Sequence, residues 1–202
     1  MGSSQRIVSV SALLVVLAAG AGAQEQESTV NRGFGLRLQG GGYSPLAHLD
    51  NAETIDWKTG FNIGGGAAYQ FNKYWAVRGN FTWGRAEARD KGPGTISQID
   101  GVKFNRFIYD GDVQFRYPFR SGIAPYVFAG GGAVTTKPHN TDNTDSFTKG
   151  AGKFGLGVHY QIPRSRAALY VESATWVYKW KQYGFDRTQY DITWNGGVSY
   201  TF

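Results

Sequence analysis

Cysteine is absent from this chain of 202 residues. Without thiols the protein has neither a disulfide framework nor a thiolate metal site. Long apolar runs are equally scarce, since the only one lies at residues 7–19. Because only helices and closed barrels satisfy every backbone group in lipid, a membrane location of the remaining chain would require a closed β-barrel. Glycine is abundant, with 29 residues, as are aromatic residues at 15%, whereas hydrophobic residues reach only 41%. This composition is typical of strands that have one apolar face.

The amino-terminal segment predicts an export signal. Arg6 precedes the apolar run, and Ala21-Gly22-Ala23 matches the A-x-A pattern of signal-peptide cleavage sites. The run is shorter than the roughly 20 apolar residues of a transmembrane helix. We therefore expect a cleavable signal peptide over residues 1–23, a flexible mature amino terminus over 24–32, and one domain over 33–202.

Apolar and polar side chains alternate along eight segments of the mature chain, as they do in strands with one apolar face. The predicted strands cover residues 33–43, 59–71, 75–85, 104–117, 125–135, 151–162, 168–178 and 190–202. The fifth strand has Tyr126, Phe128 and Val134 on one face and small residues on the other. The alternation thus indicates an all-β fold in which each strand has two distinct faces.

The seventh predicted strand has apolar residues on both faces, so its orientation depends on Glu172. An ionised group facing lipid is costly, and we therefore expect Glu172 to point inward. The same choice turns Tyr170 and Trp176 inward and suggests a β-bulge in this strand.

Short and long connections alternate between the predicted strands. The short ones are 72–74, 118–124 and 163–167, and the long ones are 44–58, 86–103, 136–150 and 179–188. Outer-membrane barrels have short periplasmic turns and longer external loops. The glycine-rich segments 40–42, 64–66 and 130–132 and the final Val198-Ser199-Tyr200-Thr201-Phe202 add to this pattern. Taken with the cleavage site, the chain resembles the small outer-membrane barrels of the OmpA, OmpX and OmpW type.

The resemblance implies an eight-stranded antiparallel up-and-down transmembrane β-barrel in the outer membrane of a Gram-negative-type bacterium, exported through the periplasm. In such proteins a terminal aromatic residue is a sorting signal for the barrel-assembly machinery, a role that falls here on Tyr200 and Phe202. The peptidoglycan-binding domain of the OmpA type is not expected. We expect a monomer whose partners are outer-membrane lipids and lipopolysaccharide, with no cofactor and no nucleic acid.

The inward faces of the predicted strands contain four basic and four acidic residues. They are Arg37, Arg78, Arg116, Lys153, Asp110, Asp112, Glu172 and Asp191. An eight-stranded barrel has an interior just wide enough to be filled by side chains, and buried charges need partners. The set therefore predicts a network of ion pairs that plugs the lumen, in preference to a permeation path.

Candidate catalytic sites are weak in this sequence, which has no His-Glu-x-x-His and no Gly-x-Ser-x-Gly pattern. Asp110 and Asp112 lie roughly 6.6 Å apart along one strand face, a spacing that overlaps that of inverting glycosidases. Their basic neighbours favour neutralised partners over an acid and a base. Some outer-membrane barrels are lipid A acyl-modifying enzymes, but the nearest candidate, His139-Asn140-Thr141, lacks a serine. We expect a protein that is not an enzyme and binds no metal.

Basic residues near the outer rim suggest contacts with lipopolysaccharide phosphates. The candidates are Arg85, Lys179, Lys181 and Arg187. A solvated loop with an aromatic belt explains them equally well. The favoured function is a structural or surface-interaction role in the cell envelope. The alternatives are a narrow pore or carrier, a lipid A acyl-modifying enzyme, and a soluble lipocalin-type carrier in which the apolar faces turn inward.

Overall fold

The computed structural model describes residues 32–46, 55–90, 101–139, 146–182 and 185–202. The strands are β1 (Gly33–Pro45), β2 (Ile55–Gln70), β3 (Trp75–Asp90), β4 (Lys103–Arg116), β5 (Ile123–His139), β6 (Phe147–Gln161), β7 (Ala167–Gln182) and β8 (Phe185–Thr201). Each strand pairs antiparallel with the next, and β1 pairs with β8. The prediction of a closed, eight-stranded antiparallel barrel is confirmed. Among the described residues, no helical segment has the length and hydrophobicity of a transmembrane span. The predicted signal peptide and nearly all of the segment 24–32 lie outside these ranges.

The two ends of the barrel differ in their connections. At the end that we call the turn end, residues 71–74, 117–122 and 162–166 connect the strands. The opposite end, which we call the hairpin end, is where the strands run further than the sequence predicts, since β3 reaches Asp90 and β5 reaches His139. The predicted long loop over 179–188 is wrong, because Lys179 pairs with Thr188 inside the β7–β8 ladder. Outward residues become polar at this end, so the apolar alternation fades although the backbone pairing continues.

On most strands the apolar residues of the alternating pattern face outward, whereas Tyr126, Phe128 and Val134 of β5 face the interior. Leu38 is 66% exposed and Val171 is 59% exposed, whereas their neighbours Arg37 and Glu172 are buried. On β3 the outward apolar residues extend from Trp75 to Trp83, close to the roughly 9–11 residues of a transmembrane strand. A soluble barrel with an apolar ligand inside would need the opposite orientation. The apolar outer face is the surface that hydrocarbon covers in a membrane barrel.

Aromatic rings concentrate on the outer face near the turn end. This group comprises Tyr69, Phe71, Tyr74, Trp75, Phe115, Tyr117 and Phe119. Transmembrane barrels have such girdles where the hydrocarbon meets the interface.

The inward aromatic residues of β7 are accommodated by glycine and not by a bulge. The β7 ladders with β6 and β8 are continuous, so the predicted bulge is wrong, although Tyr170 and Trp176 point inward as predicted. Tyr170 is paired with Gly197, where an added Cβ would lie 2.6 Å from the tyrosine ring. The aromatic face of β5 also turns inward, and an added Cβ at Gly157 would lie 2.5 Å from the Tyr126 ring. Each large ring thus uses the space that a missing side chain leaves.

A register shift occurs instead in β2, between Lys58 and Phe61, where β2 pairs with β3. One extra residue reverses which side chains face the interior. Phe61 therefore faces outward, while Trp57, beyond the shift, is buried and Lys58 is exposed. This shift brings an indole ring into the interior at the hairpin end.

Candidate functional site in the barrel interior

Six ionised side chains occupy the middle of the lumen. This middle cluster consists of Arg37, Arg78, Lys153, Asp110, Asp112 and Glu172. Each comes from an inward position of its strand, so the alternation that places apolar side chains outward also brings these charges together. The three cations and three carboxylates balance one another.

Arg78 connects opposite walls of the barrel. Its Nη1 donates a hydrogen bond to Oε2 of Glu172 at 2.9 Å, and its Nη2 donates to Oδ2 of Asp112 at 3.0 Å. Its Nε also donates to Asp112, so that this contact is bidentate. Arg78 is on β3 and Glu172 is on β7, four strands away around a ring of eight. The guanidinium therefore bridges the full width of the lumen.

The remaining members complete the middle cluster. Arg37 Nη2 donates to Glu172 Oε2 at 2.9 Å, and its guanidinium carbon lies 4.1 Å from the centre of the Tyr170 ring. Lys153 Nζ donates to Asp110 at 2.7 Å and to Asp112 at 2.8 Å. The two aspartates thus share one ammonium group, and this geometry provides charge neutralisation. Groups of His, Asp and Glu that could hold a metal ion are not found in the part of the chain that the structure describes.

A second ion pair lies toward the hairpin end, inside an aromatic core. This hairpin-end core includes Tyr43, Trp57, Ala86, Ala88, Phe104, Ile108, Val134, Ala151, Trp176 and Tyr178. At its centre Arg106 pairs with Asp191, and both residues are fully buried. Tyr178 donates to Asp191 Oδ2 at 2.8 Å, and Gln189 Nε2 donates to Oδ1 at 3.2 Å. The guanidinium carbon of Arg106 lies 4.8 Å from the centre of the Trp57 indole.

The sequence analysis put Asp191 in one set with the middle cluster, but the structure pairs it with Arg106. Arg106 itself was missed. The signal that identifies it is its even-numbered position on β4, in phase with Asp110 and Asp112. Its partner Asp191 is on β8, 85 residues further along the chain. The alternation within a strand does not predict a pairing between residues that far apart.

Arg116, the last of the predicted lumen residues, lies apart from the middle cluster. It lines a cavity of about 50 Å³ at the turn end, together with Arg37, Gln114, His159 and Ser199. We call this space the turn-end cavity. A further cavity of about 10 Å³ lies between the middle cluster and the hairpin-end core and is lined by Lys153 and Glu172 among others. That volume suffices for about one water molecule.

The four residues that the sequence suggests for lipopolysaccharide contact do not form one patch. Arg85 is on β3, where its Nε donates to Asn105 Oδ1 at 2.8 Å. Lys179 and Lys181 are exposed on β7, on the opposite side of the barrel, and the side chain of Arg187 lies outside the described part of the chain. A lipopolysaccharide-binding role for these residues stays a prediction.

The terminal aromatic residues are exposed on the outer face at the turn end. The backbone N–H of Phe202 donates to the carbonyl of Phe34 at 2.9 Å, and the two rings stack with centres 6.3 Å apart. Tyr200 lies edge-on to Phe202 at 5.3 Å. These contacts belong to the closure of β8 against β1, and recognition of Tyr200 and Phe202 by the assembly machinery stays a prediction.

The family model of the outer membrane protein β-barrel domain matches residues 10–202. The chain belongs to this family. Among solved structures, this outer-membrane barrel is similar to Neisserial surface protein A, with a TM-score of 0.64, 13% identity, and coverage of 84% of this chain and 97% of that chain. It is also similar to the N-terminal β-barrel domain of OprF from Pseudomonas aeruginosa, with a TM-score of 0.50, 16% identity, and coverage of 83% and 97%. At these identities the similarity shows the fold alone. No curated protein matches the sequence of this outer-membrane barrel.

Proposed function

We propose that this protein is an integral, non-enzymatic outer-membrane barrel with a structural or surface-interaction role in the cell envelope, and that its lumen is closed to ions. Family membership supports the membrane location. The observation that carries the closed lumen is the bridge from Arg78 to Asp112 on one wall and Glu172 on the other.

Three successive layers support a closed lumen. The middle cluster crosses the interior, the cavity beyond it has room for about one water molecule, and the hairpin-end core fills the remaining length with packed rings. Conduction needs a continuous path on which ions bind weakly enough to leave. Carboxylates and cations that already satisfy one another leave no such path.

The hairpin end supports the surface role. Beyond the apolar band the strands continue with a polar outer face, where Lys58 forms an exposed ion pair with Glu87 and Arg85 binds Asn105. We propose that this rim contacts lipopolysaccharide head groups or other components of the cell surface. On this proposal the signal peptide over residues 1–23 directs export through the periplasm, and the barrel functions as a monomer.

Single-channel recording in planar bilayers tests the proposal. Protein that is refolded in detergent, and whose folding is verified by heat-modifiable gel mobility, is inserted at several voltages, and an open porin calibrates detection. We expect no stable conductance steps from the wild type, nor from Glu87→Ala, which alters only an exposed pair. The double variant Arg78→Ala/Glu172→Ala removes the bridge but keeps the hairpin-end core, so we expect at most brief, unselective leak events from it. Stable, ion-selective steps from the wild type would overturn the proposal in favour of a narrow pore.

A further inference from the structure

We propose that the turn-end cavity is a binding site for a small anion, either a halide or a carboxylate group, and that Arg116 supplies its counter-charge. The site lies inside the barrel at the turn end and borders the middle cluster, whose Arg37 and Arg78 line it.

The charge balance of the interior leaves Arg116 in excess. Every ionised member of the middle cluster has a partner of opposite sign, and Arg106 is paired with Asp191. Arg116 forms no ion pair with any carboxylate in the described ranges. An arginine cannot lose its charge in a protein, and although the Arg116 side chain is partly exposed, its Nε is buried away from water and from any described counter-charge. The site therefore calls for an anion that the described chain does not itself provide.

Hydrogen-bond donors point to the same ligand class. The Nε of Arg116 and the Nη1 of Arg37 are buried, and neither has an acceptor among the described residues. Both side chains line the turn-end cavity, as does His159, whose Nε2 lies 3.3 Å from Ser199 Oγ. The described lining contains no carboxylate. A buried N–H that finds no acceptor is destabilising, and an anion would satisfy such donors with charge-assisted hydrogen bonds.

The size of the cavity limits the ligand. Its volume of about 50 Å³ suits a halide or a carboxylate group, but not a sugar phosphate or a nucleotide. Gln70, Arg116 and Thr201 line it and are partly exposed, so it communicates with solvent at the turn end.

The surroundings of the cavity would attract anions. The three turns contain four basic residues and no acidic residue, namely Lys73, Arg120, Arg164 and Arg166. A positive potential around a mouth raises the local concentration of anions and speeds their entry. The turns therefore direct anions toward the same end at which Arg116 lies.

Side-chain NMR of the refolded barrel in a zwitterionic detergent tests the site. The Nε–H resonances of ¹⁵N-labelled arginines are followed while sodium bromide replaces sodium gluconate at constant ionic strength, because gluconate is too large for the cavity. We expect a saturable shift of the Arg116 resonance, which Arg116→Met identifies by its loss. The exposed Arg164 is the internal control, and we expect it to respond weakly and without saturation. Repeating the titration with acetate distinguishes a carboxylate from a halide ligand.

A crystal of the wild-type protein soaked in bromide gives a second measurement that needs no variant. We expect an anomalous difference peak beside Arg116 inside the barrel. Peaks confined to exposed lysines and arginines, together with equal, non-saturating shifts of Arg116 and Arg164, would overturn the proposal and leave a water-filled cavity.

Discussion

Neutralising Glu172 is the most direct test of the charged interior. Its Oε2 accepts hydrogen bonds from Arg37 Nη2, Arg78 Nη1 and the Tyr126 hydroxyl, each at 2.9 Å. Glu172→Gln keeps the shape and one carbonyl acceptor but removes the negative charge. The middle cluster then holds three cations against two carboxylates, and Arg37 loses the carboxylate with which it pairs.

Breaking a buried ion pair by removing one partner costs about 3–5 kcal/mol. Since the glutamine carbonyl still accepts neutral hydrogen bonds, we expect Glu172→Gln to lower the free energy of unfolding by an amount toward the lower end of that range. With a urea dependence of about 2 kcal/mol per M, the unfolding midpoint would fall by about 1.5 M or slightly more.

Urea unfolding in phospholipid vesicles, followed by tryptophan fluorescence, measures the change. The matched control is Glu87→Gln, the same substitution in the exposed pair with Lys58, for which we expect at most about 1 kcal/mol because exposed pairs contribute little. If Glu172→Gln shifts the midpoint no more than Glu87→Gln does, the middle cluster is not a coupled buried network and our reasoning is refuted.

Two further pairs of variants test the packing and the ion pairing of the interior with the same unfolding measurement. We expect Gly197→Ala to destabilise by about 1–3 kcal/mol, because its Cβ would lie 2.3 Å from the Leu38 carbonyl oxygen and 2.6 Å from the Tyr170 ring, whereas the neighbouring Gly196→Ala, which meets no described heavy atom within 4 Å, should change little. Equal effects would contradict the close packing at Gly197. We expect Asp191→Asn to cost about 3–5 kcal/mol by removing the buried carboxylate that pairs with Arg106, and Arg106→Met/Asp191→Leu to recover most of that loss. A double variant as unstable as the single one would show that the ion pair itself is needed.

Which face of a strand points inward could be predicted, because successive side chains alternate between the two faces of a strand. One ionised residue, such as Glu172, then fixes the direction of a whole strand, even where both faces contain apolar residues. This is why the inward positions of Arg37, Arg78 and Asp110 follow from the sequence. Where outward residues become polar, as at Lys179, the two faces of a strand no longer differ in polarity. The alternation therefore predicts strands that end too early at the hairpin end.

The local irregularities could not be predicted in this way. The register shift near Lys58 depends on how β2 pairs with β3, and a predicted bulge in β7 proved unnecessary because Gly197 lies opposite Tyr170. Both features depend on which residue of the neighbouring strand is paired with a given residue. The linear pattern of a single strand has no information about its neighbour.

Alternation is a property of each strand alone, and the sequence therefore indicates eight two-faced strands, most of which turn apolar side chains outward and charged side chains inward. Which charges meet depends on how the strands pair in three dimensions. Strand stagger and barrel closure place Arg78 between Asp112 and Glu172. They also pair Arg106 with Asp191 and place Arg116 beside a cavity. Two charged side chains can both point inward and still lie at different depths in the barrel. Depth determines whether a charged side chain meets a partner of opposite charge or lies beside a cavity that can hold a ligand.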